Sequence, residues 1–168
     1  MERLVRCLLL TVTAVPFAEA AAKDVCSLVT AAEVARVIGA KPEQVSPMLV
    51  PPRQDKTGGY VTFCAYSTPA PDAPSLVVSI LEFRSSAAAR QTLTEALIRE
   101  RMPEESTKVS EEGNLGERAL YGASNSGATY VFVKKNKVIG IAQGGVAGKA
   151  NAGKAELLKL AQAVASRV

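Results

Sequence analysis

The chain predicts an α+β fold in which an antiparallel sheet of about five strands is flanked by helices. Three observations carry that prediction. Local patterns run in the order helix, two strands, helix, three strands, helix. The strand candidates follow one another through turn-rich links instead of alternating with helices, as a parallel sheet would require. YVTFCAYS and SLVVSILEF carry apolar residues on both sides, which a sheet buried on both faces needs. A three-layer sandwich follows naturally from this patterning. With 168 residues, 48% of them hydrophobic, the chain fits one compact domain and is too apolar for a disordered polymer.

Residues 1–22, MERLVRCLLLTVTAVPFAEAAA, begin with Arg3 and Arg6, continue through an apolar run from Cys7 to Ala18, and end in small residues. They read as a signal peptide cleaved after Ala20 or Ala22, because the run is too short for the ~20 residues of a membrane span and Pro16 would interrupt a helix belonging to the fold. Arg6 before Cys7 argues against lipidation there. Residues 23–168 are then a single exported domain, periplasmic or secreted, with no membrane span. Cleavage removes Cys7 and leaves Cys26 and Cys64 as an even pair in an oxidising compartment, expected as one disulfide. The alternative, two reduced thiols serving as redox centre or metal ligands, lacks a CxxC spacing and further soft ligands.

Thr30-Ala-Ala-Glu33 is a capping box that starts a helix with Ala31, Val34, Val37 and Ile38 on one face, ended by Gly39. Residues 40–59, with Pro42, Pro47, Pro51, Pro52, Gly58 and Gly59, read as a long irregular connection. Such loops often carry function, which makes Arg53, Asp55, Lys56 and Tyr60 candidate binding residues. Strands from Tyr60 and from Ser75 to Phe83 form a hairpin around TPAPDAP. Ser85 or Ser86 caps a helix running to about Arg101, with Ala89, Leu93, Leu97 and Ile98 inward and Pro103 as the stop. Glu104 to Gly116 is polar. Its Glu104, Glu105, Glu111 and Glu112 read as a solvated face, since adjacent exposed carboxylates have neither the desolvation nor the separation of an acid–base pair. ERALYG, ATYVFVKK and VIGIAQ are three more strands, linked by Ser-Asn-Ser-Gly and Lys-Asn-Lys turns. A last helix from near Ala152 repeats Leu157, Ala161, Val164 and Val168.

Composition narrows the chemistry further. The chain has no histidine, which removes Ser-His-Asp and Cys-His catalysis and His-ligated zinc. The net charge of +4 is scattered, without the basic stripe of a nucleic-acid footprint. Gly148-Lys-Ala-Asn-Ala-Gly153-Lys154-Ala155 imitates a phosphate-binding loop, but the magnesium-binding hydroxyl position is Ala155. Lys149, Asn151 and Lys154 remain as a second candidate binding loop at a helix start.

CSLVTAAEVARVIG, CAYS, NLGERALY, YVFVKKNKVIGIAQ and LLKLAQAVASRV, in that order, resemble a group of exported bacterial domains of unknown function, many of them lipoproteins. Members look like Cys-x-Leu-Leu-Thr-x-x-Glu-Val, then Cys-x-Tyr or Cys-x-Trp, then Gly-Leu-Gly-Asp-x-Ala-Tyr. This chain has Asn114 for the first glycine, Glu117 for the aspartate, and Leu120 inserted before Tyr121. The resemblance implies the Cys26–Cys64 staple and a sandwich like that of the photosystem accessory protein PsbP, and it brings no activity. The function expected is that of a non-enzymatic binding module for an unknown protein or small ligand of the cell envelope, without metal or cofactor. An inhibitor or immunity protein for an envelope enzyme is the alternative, and a histidine-free hydrolase using Ser, Tyr or Lys the third reading.

Overall fold

In the computed structural model the described residues are 25–70, 73–145 and 153–168. The stretch read as a signal peptide lies outside them. Helix α1 spans Ala31–Ile38, and a 3-10 turn covers Pro42–Gln44. Then come β1 (Ser46–Gln54), β2 (Tyr60–Ser67), β3 (Ser75–Glu82), α2 (Ser86–Thr92), α3 (Glu95–Arg101), β4 (Lys108–Glu112), β5 (Arg118–Ala123), β6 (Gly127–Lys134), β7 (Lys137–Gly144) and α4 (Lys154–Arg167). The sheet has seven strands in the order β1-β2-β3-β7-β6-β5-β4, with every pair antiparallel. Two meanders therefore meet where β3 pairs with β7.

The expected five strands become seven because both edges come from segments whose composition hid them. Residues 40–59 are no irregular connection: β1 pairs with β2 from Ser46 to Gln54 and slips register between Val50 and Arg53, at Pro51-Pro52. Proline cannot donate to a ladder, so it is confined to edges and bulges. The acidic stretch likewise contains β4 at the opposite edge, where Lys108, Glu111 and Glu112 are the charges that discourage edge-to-edge pairing.

The sheet carries a core on each face. Cys64, Tyr66, Leu76, Val78, Tyr130, Phe132, Ile139 and Ile141 point to one side and pack with Val34, Val37 and Ile38 of α1 and Leu157, Leu160, Ala161 and Val164 of α4. Val61, Leu81, Leu120, Val131, Val133 and Val138 point to the other and pack with Ala89, Leu93 and Ile98. The result is three layers, with α1 and α4 on the first face and α2 and α3 on the second.

The helix expected from Ser85 to Arg101 is two. Leu93 is extended and fully buried, and Thr94 starts α3 by accepting from the Leu97 N–H. The Arg118 guanidinium donates to the freed Leu93 carbonyl at 2.8 Å, which satisfies the backbone at the break. Splitting the segment lets two short helices follow a twisted sheet that one straight rod would leave.

The family-like motifs are structural. The capping box of α1 forms as read, with Thr30 Oγ1 accepting from the Glu33 N–H and Glu33 accepting from the Thr30 N–H at 2.8 Å. The same carboxylate takes two bonds from Arg167 of α4, at 2.7 and 2.9 Å, so one residue starts one helix and ties down the other. Gly39 closes α1 in the left-handed region at φ 69°. In NLGER, Gly116 sits at φ +67°, and a Cβ there would lie 2.2 Å from the Val133 carbonyl oxygen, which excludes any side chain. Glu117 beside it accepts from the Lys135 N–H at 2.9 Å, within the β6–β7 turn, and from Arg90 of α2 at 2.8 Å. Cys26 and Cys64 are disulfide-bonded, with Cα atoms 5.2 Å apart, and the buried Tyr66 donates to the Cys26 carbonyl at 3.0 Å.

The disulfide joins positions 38 apart, so replacing both cysteines by serine is expected to remove about 4 kcal/mol in chemical denaturation. Unchanged midpoints would show that the staple is dispensable. Hydrogen bonds from Arg167, against the opposing effect of burial and with help from Thr30, hold the Glu33 carboxyl down to about 2 from 4.5. A depressed carboxylate stabilises the fold above its unfolded pKa and loses that contribution as pH falls through the folded one. The stability difference between wild type and Glu33→Gln is therefore expected to be flat above pH ~5 and to shrink by about 1–2 kcal/mol toward pH ~2, as read by urea unfolding.

Candidate functional site

The two faces are not covered alike. On the first face Cys64, Leu76, Val78 and Ile141 are fully buried. On the second, α2 and α3 pack over the side of the sheet formed by β5, β6 and β7, and the outward residues of β1, β2, β3 and β7 nearer the β2–β3 turn are only half-buried: Val50, Phe63, Ala65, Val77, Ser79 and Ala142. The register arranges them in rows. Val61, Leu81 and Val138 form the buried row. Val50, Phe63, Ser79 and Gly140 form the next, and Met48, Ala65, Val77 and Ala142 the one after. Ser46 beside Ser67, and Ser75 beside Gly144, make a polar rim. Polarity thus grades from a sealed core, across a shallow apolar floor of mostly small residues, to serines.

Two guanidinium groups reach over the row of Phe63 and Gly140. Arg53 of β1 lies over the Phe63 ring, 5.5 Å from its centroid, a cation–π distance. Arg101, the last residue of α3, reaches across the sheet so that its Nη1 would be 3.3 Å from a Cβ at Gly140. The same Cβ would lie 2.6 Å from Ser79 Oγ, so glycine leaves room for both the serine and the guanidinium. Burial pushes Arg101 below its ordinary pKa, opposed by the charges of Asp55 and Glu100. The carbonyl of Met102 accepts from Thr107 Oγ1 at 2.8 Å, and Arg99 donates to the Thr107 carbonyl at 3.0 Å, fixing the end of α3 from which Arg101 projects.

Of the residues expected to bind from the proline-rich segment, Arg53, Asp55 and Lys56 gather here and Tyr60 does not. The β1–β2 tip folds toward α3: Lys56 forms an ion pair with Glu100, and a Cβ on the buried Gly59 would meet Leu81 Cδ1 at 2.8 Å. Asp55 has a local task as well. Its carboxylate accepts from the Thr57 N–H at 2.8 Å, while its backbone exchanges bonds with Gly58 and Gly59. Burial raises its pKa, but Thr57, Arg101 and Lys56 outweigh this and hold it below the ordinary value. Tyr60, 60% exposed, alternates to the first face with Thr62 and Cys64, and Met48, 62% exposed, lies on the second face at the other end of β1.

The second expected loop is not brought to the same place. Lys149 and Asn151 lie outside the described residues. Lys154 starts α4, bonds Glu112 at 2.5 Å and lies 4.8 Å from the Tyr121 ring centroid, on the first-face side where Tyr121 packs against the buried Tyr130. Of the acidic stretch, Glu104 accepts from Ser124 at 2.9 Å and from Ser126, so it closes the β5–β6 turn. A cavity of about 40 Å³ between α1 and α4, lined by Glu33, Arg36, Glu156 and Lys159, is far smaller than a ligand pocket. Sequence reasoning missed Phe63, Ala65, Val77, Ser79, Ala142 and Arg101. The small residues alternating along β2, β3 and β7 were the available signal.

No family model matches the chain, and no curated protein matches it. A crystal structure of the extracellular domain of PknH from Mycobacterium tuberculosis is similar in fold, with a TM-score of 0.60 and 12% sequence identity over 87% of this chain and 95% of that one. At that identity the likeness concerns the fold alone.

Asp55→Ala is expected to cost about 1 kcal/mol, because it deletes the acceptor of a turn N–H. Lys56→Ala, which breaks an exposed ion pair, is expected to cost under ~0.5 kcal/mol. Thermal or urea unfolding of the two variants checks the order; the reverse order would make the Lys56–Glu100 strap the structural element.

Proposed function

We propose that this chain is an exported, non-enzymatic binding module, and that the half-covered second face of its sheet is the surface it uses. The observation that carries the reading is the contrast between the faces across β2, β3 and β7: Cys64, Tyr66, Leu76, Val78 and Ile141 are sealed on the first, with Leu49 of the edge strand exposed, whereas Phe63, Ala65, Val77, Ser79 and Ala142 are left partly exposed on the second, with aromatic, methionine and arginine side chains on the open part. Those residue types dominate the energetic centres of protein interfaces. A shallow floor four strands wide suits a protein partner better than an enclosed small molecule. Export is supported by the leader-like residues 1–22 and by the Cys26–Cys64 bond. Among the described residues no helix is long and apolar enough to cross a membrane. Kinship with the exported two-cysteine domains is part of the same reading: the staple, the capping box and the Gly116 corner, which the shared motifs occupy, are what hold the scaffold rigid. A rigid scaffold lowers the ordering cost of binding, which suits a recognition domain and equally an inhibitor of an envelope enzyme.

Site-specific photo-crosslinking in the producing cell tests the assignment. A photoreactive amino acid at Met48 is expected to yield a discrete adduct, and one at Ser110 on the opposite edge none. Adducts from Ser110 alone, or from neither position, would remove the second face as the working surface.

A further inference from the structure

We infer that the second face recognises an acidic protein segment, one that sets carboxylates beside small or aliphatic side chains. This rests on the reading of that face as the binding surface and goes beyond it in naming the partner's chemistry. Three observations converge on it. The Arg53 guanidinium reaches over Phe63 and that of Arg101 toward Gly140, residues of one register row two strands apart, which places the two groups on the order of 10 Å from one another. Neither guanidinium makes a hydrogen bond or ion pair with any described residue, which is also true of Arg36 and Arg84 away from this face, whereas Arg90, Arg99, Arg118 and Arg167 all do. The third is the floor between and beyond them, Ala65, Val77, Ser79 and Ala142, whose short side chains leave room for apolar groups of an occupant.

Guanidinium groups held at an apolar boundary select planar carboxylates through paired N–H donors, and the partial removal of water strengthens that preference. Asp55 and Glu100 act on Arg101 through their charge, but their carboxylates are bonded elsewhere, Asp55 to Thr57 and Glu100 to Lys56. A second copy of this chain fits poorly, because docking like faces would oppose arginines to arginines. Strand addition to β1 is also disfavoured, since Pro47, Pro51 and Pro52 interrupt that edge.

The test is selection from a random peptide library displayed on phage, using protein purified from cells expressing the full chain, followed by titration of the selected peptides. Three proteins are compared: wild type, the Arg53→Gln/Arg101→Gln double variant, and Ala65→Trp, which fills the floor without touching the charges. Ser75→Trp at the rim is a second blocking variant, and thermal melting confirms that each is folded. The expected result is enrichment of peptides pairing Asp or Glu with small apolar residues, binding at least tenfold weaker to the double variant, a loss of affinity with added salt for wild type only, and no binding to either blocked protein. If blocking abolishes binding and the double variant binds normally, the acidic preference is wrong while the face stands. If blocking has no effect, both readings fall. If no peptide is selected, or wild type instead binds phosphatidylglycerol vesicles with the same dependence on the two arginines, the protein-segment assignment is overturned.

Discussion

The β6–β7 hairpin must be hidden on both sides, and most of the molecule can be understood as meeting that requirement. Tyr130, Phe132, Ile139 and Ile141 on one face and Val131, Val133 and Val138 on the other are all at or near zero exposure. Each such side chain contributes about 1.5–3 kcal/mol when removed from water, so a helical layer is needed above and below. The chain supplies the first layer from its two ends, α1 and α4, and the second from the α2–α3 link between the meanders. Bonds between layers then fix the arrangement: Glu33 with Arg167, Gln143 with the Val37 carbonyl at 3.1 Å, and Arg118 with the Leu93 carbonyl.

The cover of the second face runs short. The two short helices that span β3 to β4 lie over β5 to β7, and the outer part of β2 and β3 is left with Phe63, Ala65, Val77 and Ser79 half in solvent. The disulfide offsets this on the opposite side by tying Cys64 of β2 to the segment before α1. The lopsided strand group is thereby held from one face and left open on the other. Rigidity and an accessible sheet face are consequences of one arrangement.

Most of the elements were legible in the sequence because their signals are local. Thr30 and Glu33 fit a capping box three residues apart, alternation in YVTFCAYS separates Cys64 and Tyr66 from Val61 and Phe63, and Lys-Asn-Lys marks a turn. The hidden elements were those whose local chemistry speaks against them. Three prolines argue against a strand, and β1 exists because its edge position and bulge tolerate them. Leu93 fits a helical periodicity, but the Thr94 cap and the Arg118 bond to its carbonyl hold the break there. Of the site, Arg53, Asp55 and Lys56 were visible as a polar loop, but the strand residues they stand beside looked like ordinary core.

By itself the sequence determined the capping box of α1, the exclusion of histidine chemistry and the α+β class, because each depends on residue types and short spacings. Tertiary structure alone decided that the guanidinium groups of Arg53 and Arg101, 48 positions apart, reach Phe63 and Gly140 of one register row, and that the rows in front of them lack a covering helix. Long-range strand pairing sets both. The same alternating pattern codes for a sealed face and for an open one, and which it becomes depends on where the connecting helices fall.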